Sequence, residues 1–100
     1  MRIIAWSTLA AYAERHPETK TSLTRLKDLI EAASWTSMDE VRQAAPNAVI
    51  LNGQRVRFEI AGGNYRLIVM IHFRRQIVYV NFIGTHAEYD KVDALTVSMF

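Results

Sequence analysis

The chain has no cysteine, only two prolines and four glycines in 100 residues, and no apolar run long enough to cross a bilayer. Without thiols there is no disulfide framework and no thiolate metal site, a composition that fits a reducing compartment. The apolar start of the chain is interrupted by Glu14 and Arg15 and lacks a secretory core segment, so a cytoplasmic location with no membrane association is expected. Internal repeats, low-complexity tracts and linker-like stretches are also missing, which predicts one domain over residues 1–100. Half of the residues are hydrophobic, as in a globular rather than a disordered chain.

Charge of one sign is scarce overall, with a net charge of +2, but it is unevenly placed. Residues 1–50 hold six basic and six acidic side chains. Residues 51–86 hold Arg55, Arg57, Arg66, Arg74 and Arg75 against Glu59 alone. The planar fork of arginine suits phosphate, so this half of the chain is expected to face an anionic partner. The competing reading is an ordinary solvated sheet face.

Residues 2–5 read as a short first strand. Trp6, Leu9 and Ala13 then fall on one helical stripe over residues 6–15, with Ser7 as the expected N-cap. Pro17 ends that helix and suits the first position of a second, running to about residue 33 with Leu23, Leu26, Ile30 and Ala33 inward. Ser37 and Glu40 have capping-box spacing and predict a short third helix that stops before Pro46. Strands follow at about 48–51, 54–60, 65–73 and 76–84, with turns at Asn52-Gly53, Gly62–Asn64 and Arg74–Gln76. The fold class expected is α+β: an antiparallel-rich sheet with a helix hairpin packed on one face.

The segments "NYRLIVMIHF" and "IVYVNFIGTHAEYDKVDA", above all "GTHAEYDK" after a strand, resemble the HigB toxins among the RelE/ParE-like toxins of type II toxin–antitoxin systems. The resemblance covers nearly the whole chain and is most specific from about Arg55 to Asp93. It implies a small metal-independent endoribonuclease, free of cofactors, that cuts mRNA on the ribosome and is silenced by a HigA-type antitoxin. Two other functions stay open: a toxin of the same fold that inhibits gyrase by contact, and an RNA-binding accessory domain.

The residues of the "GTHAEYDK" rim suit the first function. In RNA cleavage without metal a base takes the 2′-hydroxyl proton, cations stabilise the phosphoryl oxygens and an acid protonates the leaving oxygen. His86 is the expected proton carrier, as base or acid. Lys91 and Arg66 are expected to supply charge, and Tyr89 to orient or pass a proton. Arg57, Arg55, Arg74 and Arg75 are the expected RNA or phosphate contacts. Pairing about the Gly62–Asn64 turn sets residues summing to about 125 opposite each other, which makes Arg57 and Arg66 neighbours on one face, with Glu59 beside Arg66. An extended chain would align His86, Glu88 and Asp90 as metal ligands. A helix start with Thr85 as N-cap and Glu88 in a capping box would instead separate them. His72 is expected to be a satisfied sheet histidine, and Trp6, Tyr12 and Trp35 to serve the core or an antitoxin surface.

The arginine excess predicts that RNA binding weakens steadily as salt rises, because each neutralised phosphate releases counterions. Binding measured by anisotropy that stays flat from low to moderate salt would contradict an RNA-facing sheet.

Overall fold

A computed structural model describes residues 1–100. The element order is β1 (Arg2–Ile4), α1 (Trp6–Arg15), a 3-10 turn (Pro17–Thr19), α2 (Lys20–Ala32), α3 (Met38–Ala44), β2 (Val49–Ile50), β3 (Arg55–Ile60), β4 (Tyr65–His72), β5 (Ile77–Thr85) and α4 (His86–Tyr89). The five strands form one sheet in the order β1-β5-β4-β3-β2. β1 runs parallel to β5, and every other pair is antiparallel. The expected α+β fold is therefore present, as a mixed, mostly antiparallel sheet.

Alternation decides which face each strand buries. In β3, Val56, Phe58 and Ile60 are buried, while Arg55, Arg57 and Glu59 point to the other side. Val56, Leu67, Val69, Val78 and Val80 from the sheet join Leu9, Ala13, Leu23 and Ile30 from α1 and α2 in one apolar cluster. Trp35 and Val41 close its end, while Trp6 and Tyr12 are partly buried against it. The register of β3 and β4 sets Arg57 opposite Ile68 and Glu59 opposite Arg66, as the sum of 125 requires.

Three local details differ from expectation. Ser7 does not cap α1; the N-cap position is Ala5, in a left-handed conformation (φ 73°) with no side-chain bond. The Asn52-Gly53 turn closes through a side chain: Asn52 Oδ1 accepts from the N–H groups of Gln54 (2.8 Å) and Arg55 (2.7 Å). β5 carries a bulge, since Ile68 pairs with Phe82 but Val69 pairs with Val80, so Asn81 has no partner in the ladder.

That bulge has a use on the second face of the sheet. The Asn81 carbonyl accepts from the Met99 N–H at 2.8 Å. Arg55 Nη1 donates to the carbonyls of Ala94 (3.1 Å) and Val97 (2.8 Å). The C-terminal segment is thereby tied across part of the face opposite the helices. Ile68 and Phe82, both buried, lie on that face outside the main cluster.

Leu23 is 1% exposed between α2 and the sheet. Leu23→Ala is expected to cost about 2–5 kcal/mol of folding stability, from lost transfer energy and the cavity left behind. Denaturant unfolding measures it; a loss below about 1 kcal/mol would mean that the helix layer collapses onto the gap.

Candidate active site

The site is built where β5 ends. Gly84 pairs with Arg66 in the ladder, and α4 turns back over it. A Cβ at Gly84 would lie 2.7 Å from Phe82 Cζ and 3.2 Å from Glu88 Oε1. The residue must therefore be glycine for space rather than for backbone freedom. The expected capping box is present: Glu88 N–H donates to Thr85 Oγ1 at 3.1 Å, and Thr85 N–H donates to Glu88 Oε1 at 2.8 Å. His86 N–H donates to the Asn64 carbonyl at 3.0 Å, which fixes α4 to the turn before β4.

This fold-back sets Tyr89 against the two arginines. Its ring centroid lies 5.2 Å from Arg57 Cζ and 4.9 Å from Arg66 Cζ, and Phe82 meets it edge-on at 6.2 Å. Arg57 Nη1 also donates to the Tyr89 hydroxyl at 3.2 Å. Glu59 lies between the arginines: its Oε1 accepts from Arg57 Nε at 3.0 Å, and its Oε2 is 3.3 Å from Arg66 Nε. The latter is an ion pair without a hydrogen bond, because the Arg66 Nε–H is buried with no acceptor on its line. Burial alone would lower the Arg57 pKa, but the Tyr89 hydroxyl and Glu59 outweigh it and hold the group above its ordinary value. The side chains of Arg57, Arg66 and Glu59 are 18%, 17% and 27% exposed, so this is a half-sunken cluster rather than a solvated rim.

His86 stands one helical turn before Tyr89, with its side chain 54% exposed. Its Nδ1 lies 3.3 Å from Asp90 Oδ2, an i,i+4 contact that leaves Nε2 directed elsewhere. Glu88 is turned onto Thr85, so His86, Glu88 and Asp90 do not converge as the metal reading would need.

The other expected residues are dispersed. Lys91 is exposed on the Glu88 side of α4, where it helps hold the Glu88 carboxyl low. Arg55 is engaged with the tail carbonyls of Ala94 and Val97. Arg74 and Arg75 are exposed in the β4–β5 turn, about 25 Å along the strand from Arg66. His72 accepts from the Arg75 N–H at 3.2 Å, a plain structural role.

A second group of ionisable residues lies on the Glu88 side and was not expected. His16 stacks on Tyr12 (centroids 4.2 Å apart) and meets Tyr65 edge-on at 5.5 Å. The Tyr65 hydroxyl donates to Glu18, and that bond, with burial behind it, pushes the Tyr65 pKa up to about 12. The signal for it lay in the β4–β5 register, which sets Tyr65 opposite Thr85.

A small α+β protein with a cationic and aromatic cluster beside an exposed histidine has the parts of a nucleic-acid-processing toxin. Residues 19–92 match the HigB_toxin family, described as the RelE-like toxic component of a toxin–antitoxin system, and the chain belongs to that family. It is 30% identical over 97 residues to the mRNA interferase HigB of Escherichia coli O6:H1, covering 92% of this chain and 91% of that one. It is 29% identical over 93 residues to the mRNA interferase toxin HigB of Escherichia coli K12 and to the mRNA interferase HigB of Shigella flexneri, covering 90% of this chain and 88% of each of those.

The Thr85 N–H is the main cause that holds the Glu88 carboxyl below its ordinary 4.5. A depressed carboxylate stabilises the fold fully above its unfolded pKa and loses that contribution as pH falls through the folded value. The Tm gap between the native protein and Glu88→Gln is therefore expected to shrink on acidification below about pH 4.5. A gap that stays constant from about pH 7 to about pH 3 would show that α4 is not held by this ionised cap.

Proposed function

We propose that the protein is an mRNA interferase: a cytoplasmic, metal-independent endoribonuclease that cuts mRNA on the ribosome and is held silent by a HigA-type antitoxin. The observation that carries this reading is the Tyr89 ring packed against Arg57 and Arg66, one helical turn from the exposed His86–Asp90 pair. It brings phosphate-binding cations and a proton carrier to one place. The names of the relatives favour cutting over contact inhibition.

In the proposed reaction the RNA phosphate sits at Arg57 and Arg66, whose charge stabilises the oxygens as negative charge gathers on them. The 2′-hydroxyl attacks the adjacent phosphorus and the bond to the 5′-oxygen breaks. His86 takes the first proton or supplies the second, and Asp90 orients its ring. Tyr89, anchored by Arg57, offers a ring face for an unstacked base and a hydroxyl near the phosphate. Lys91 lies further along the rim and suits a flanking phosphate. Arg74 and Arg75, far from the reacting atoms, suit ribosomal RNA. No helix is long and apolar enough to cross a membrane.

Ribosome-programmed mRNA cleavage tests the proposal. His86→Ala is expected to lower the rate about a hundred- to ten-thousand-fold. Its stability should change by no more than about 0.5 kcal/mol, since the side chain is exposed. Arg66→Ala is expected to slow cutting as well. Full activity in His86→Ala would remove it from the mechanism.

A further inference from the structure

Glu59 has a placement that the proposed reaction does not use. It is the only acidic residue among residues 51–86, yet it lies at the centre of the cation cluster. Its Oε1 is 3.0 Å from both Nε and Nη2 of Arg57, and its Oε2 is 3.3 Å from Arg66 Nε. Two guanidinium forks closing on one anion is the arrangement in which arginine binds phosphate. The carboxylate fills that arrangement incompletely, because the buried Arg66 Nε–H has no hydrogen-bond acceptor. A carboxylate tethered to β3 by its own side chain cannot set its oxygens on the lines of both forks, whereas a phosphodiester arriving from solvent is not bound to that strand and can.

There is also somewhere for the carboxylate to go. Glu59 borders an open groove of about 630 Å³ lined by Asn47, Glu59, Gly62 and Gly63, with no apolar side chain. Ala61, Gly62 and Gly63 all have positive φ (53°, 68° and 93°), and the two glycines leave this wall of the groove without side chains. A carboxylate swung into it stays solvated and has the Asn47 amide within the same groove.

We propose that Glu59 is a resident anion: its carboxylate occupies the place of the RNA phosphate between Arg57 and Arg66, and a phosphodiester binds by displacing it into the Asn47–Gly63 groove. The inference rests on the reading of Arg57 and Arg66 as phosphate contacts. It makes binding of a lone phosphate weak, since the intramolecular competitor is always at high effective concentration. A strand already held in place by other contacts overcomes that competition.

The test titrates the native protein and Glu59→Gln with inorganic phosphate, following the side-chain Nε–H signals of Arg57 and Arg66 by NMR. Ribosome-programmed cleavage is measured in parallel. Removing two partly screened ion pairs is expected to tighten phosphate binding by about three- to tenfold. In the native protein the Glu59 carboxyl carbon signal is expected to move toward that of a free glutamate as phosphate is added. Glu59→Asp, which keeps the charge but draws it back by one carbon, is expected to tighten binding less and guards against misfolding of the first variant. Equal or weaker phosphate binding in both variants would overturn the proposal and leave Glu59 as a strut for the arginines. Tighter phosphate binding in a protein that cuts no ribosome-bound mRNA would keep the resident anion and sink the endonuclease reading. Cutting with unchanged phosphate binding would do the reverse.

Discussion

At Gly84 the last strand passes so close to the helix that follows it that one added carbon would sit 3.2 Å from Glu88 Oε1 and 3.3 Å from Glu88 Cβ, besides 2.7 Å from Cζ of Phe82 on the same strand. That closeness lets a single helical turn lie on the sheet instead of leading away from it. A helix of four residues has almost no stability of its own, since nucleation is unfavourable and few bonds repay it. It is held by its surroundings: the reciprocal cap between Thr85 and Glu88, the His86 bond to the Asn64 carbonyl, and the Tyr89 ring against Phe82. The cap is local, but the Asn64 bond and the Phe82 contact require the fold-back, and the fold-back requires room at Gly84.

The charge cluster depends on the same contact. Two guanidiniums gathered around one aromatic ring and one carboxylate repel each other, and the less so the better their charge is compensated. Contact with an aromatic face returns about 0.5–2 kcal/mol for each, the larger value where water is excluded. Glu59 supplies the remaining compensation through pairs to both arginines. Tyr89 and Glu59 therefore keep two like charges together on a half-buried face, and Arg55, one alternation along β3, escapes the same problem by bonding the tail carbonyls. Three arginines on one sheet face thus end in two different environments, because the C-terminal segment reaches only part of that face.

The elements that local chemistry dictates were legible in the sequence. Alternation in β3, the sum rule that sets Glu59 opposite Arg66, the Ser37 N-cap and the capping box at Thr85 all stand in the structure, while the box expected at Ser37 is only half formed, because the Glu40 carboxylate accepts from Thr36 Oγ1. The proximity of Arg57 and Arg66 followed from register alone. What was not legible depends on contacts distant in sequence or made by backbone atoms. The tail has no hydrophobic period to read, and it is anchored through carbonyls that every residue carries. The bulge at Asn81 shows only in three dimensions, where its freed carbonyl meets Met99. Register paired Arg57 with Arg66 and the turn signals set Arg74 and Arg75 apart, but only the fold shows that the pair is sunken and that Arg55 is taken up by the tail. Gly84 reads as a strand terminator, while its actual requirement is room for Phe82 and Glu88.

The two sides of α4 carry similar residue types in opposite states. On the Glu88 side, His16 is stacked on Tyr12, and the Tyr65 hydroxyl donates a hydrogen bond to Glu18. Tyr65, with its pKa pushed up to about 12, gives up no proton near neutrality, and its bond to Glu18 joins the 3-10 turn after α1 to the start of β4. Here the Tyr65–Glu18 bond acts as a clamp, although the Tyr12 hydroxyl beside it is buried with no hydrogen-bond partner. On the Tyr89 side the groups keep unused capacity: His86 is exposed beyond its contact with Asp90, and the Arg66 Nε–H is buried without an acceptor. A buried donor left unpaired costs about 1–3 kcal/mol, a cost that a bound anion would relieve. Composition alone would make either cluster a candidate for proton chemistry. Charge separates them: each side holds one buried polar group without a partner, but on the Glu88 side it is the neutral Tyr12 hydroxyl, and on the Tyr89 side it is the cationic Arg66 guanidinium, which an anion suits.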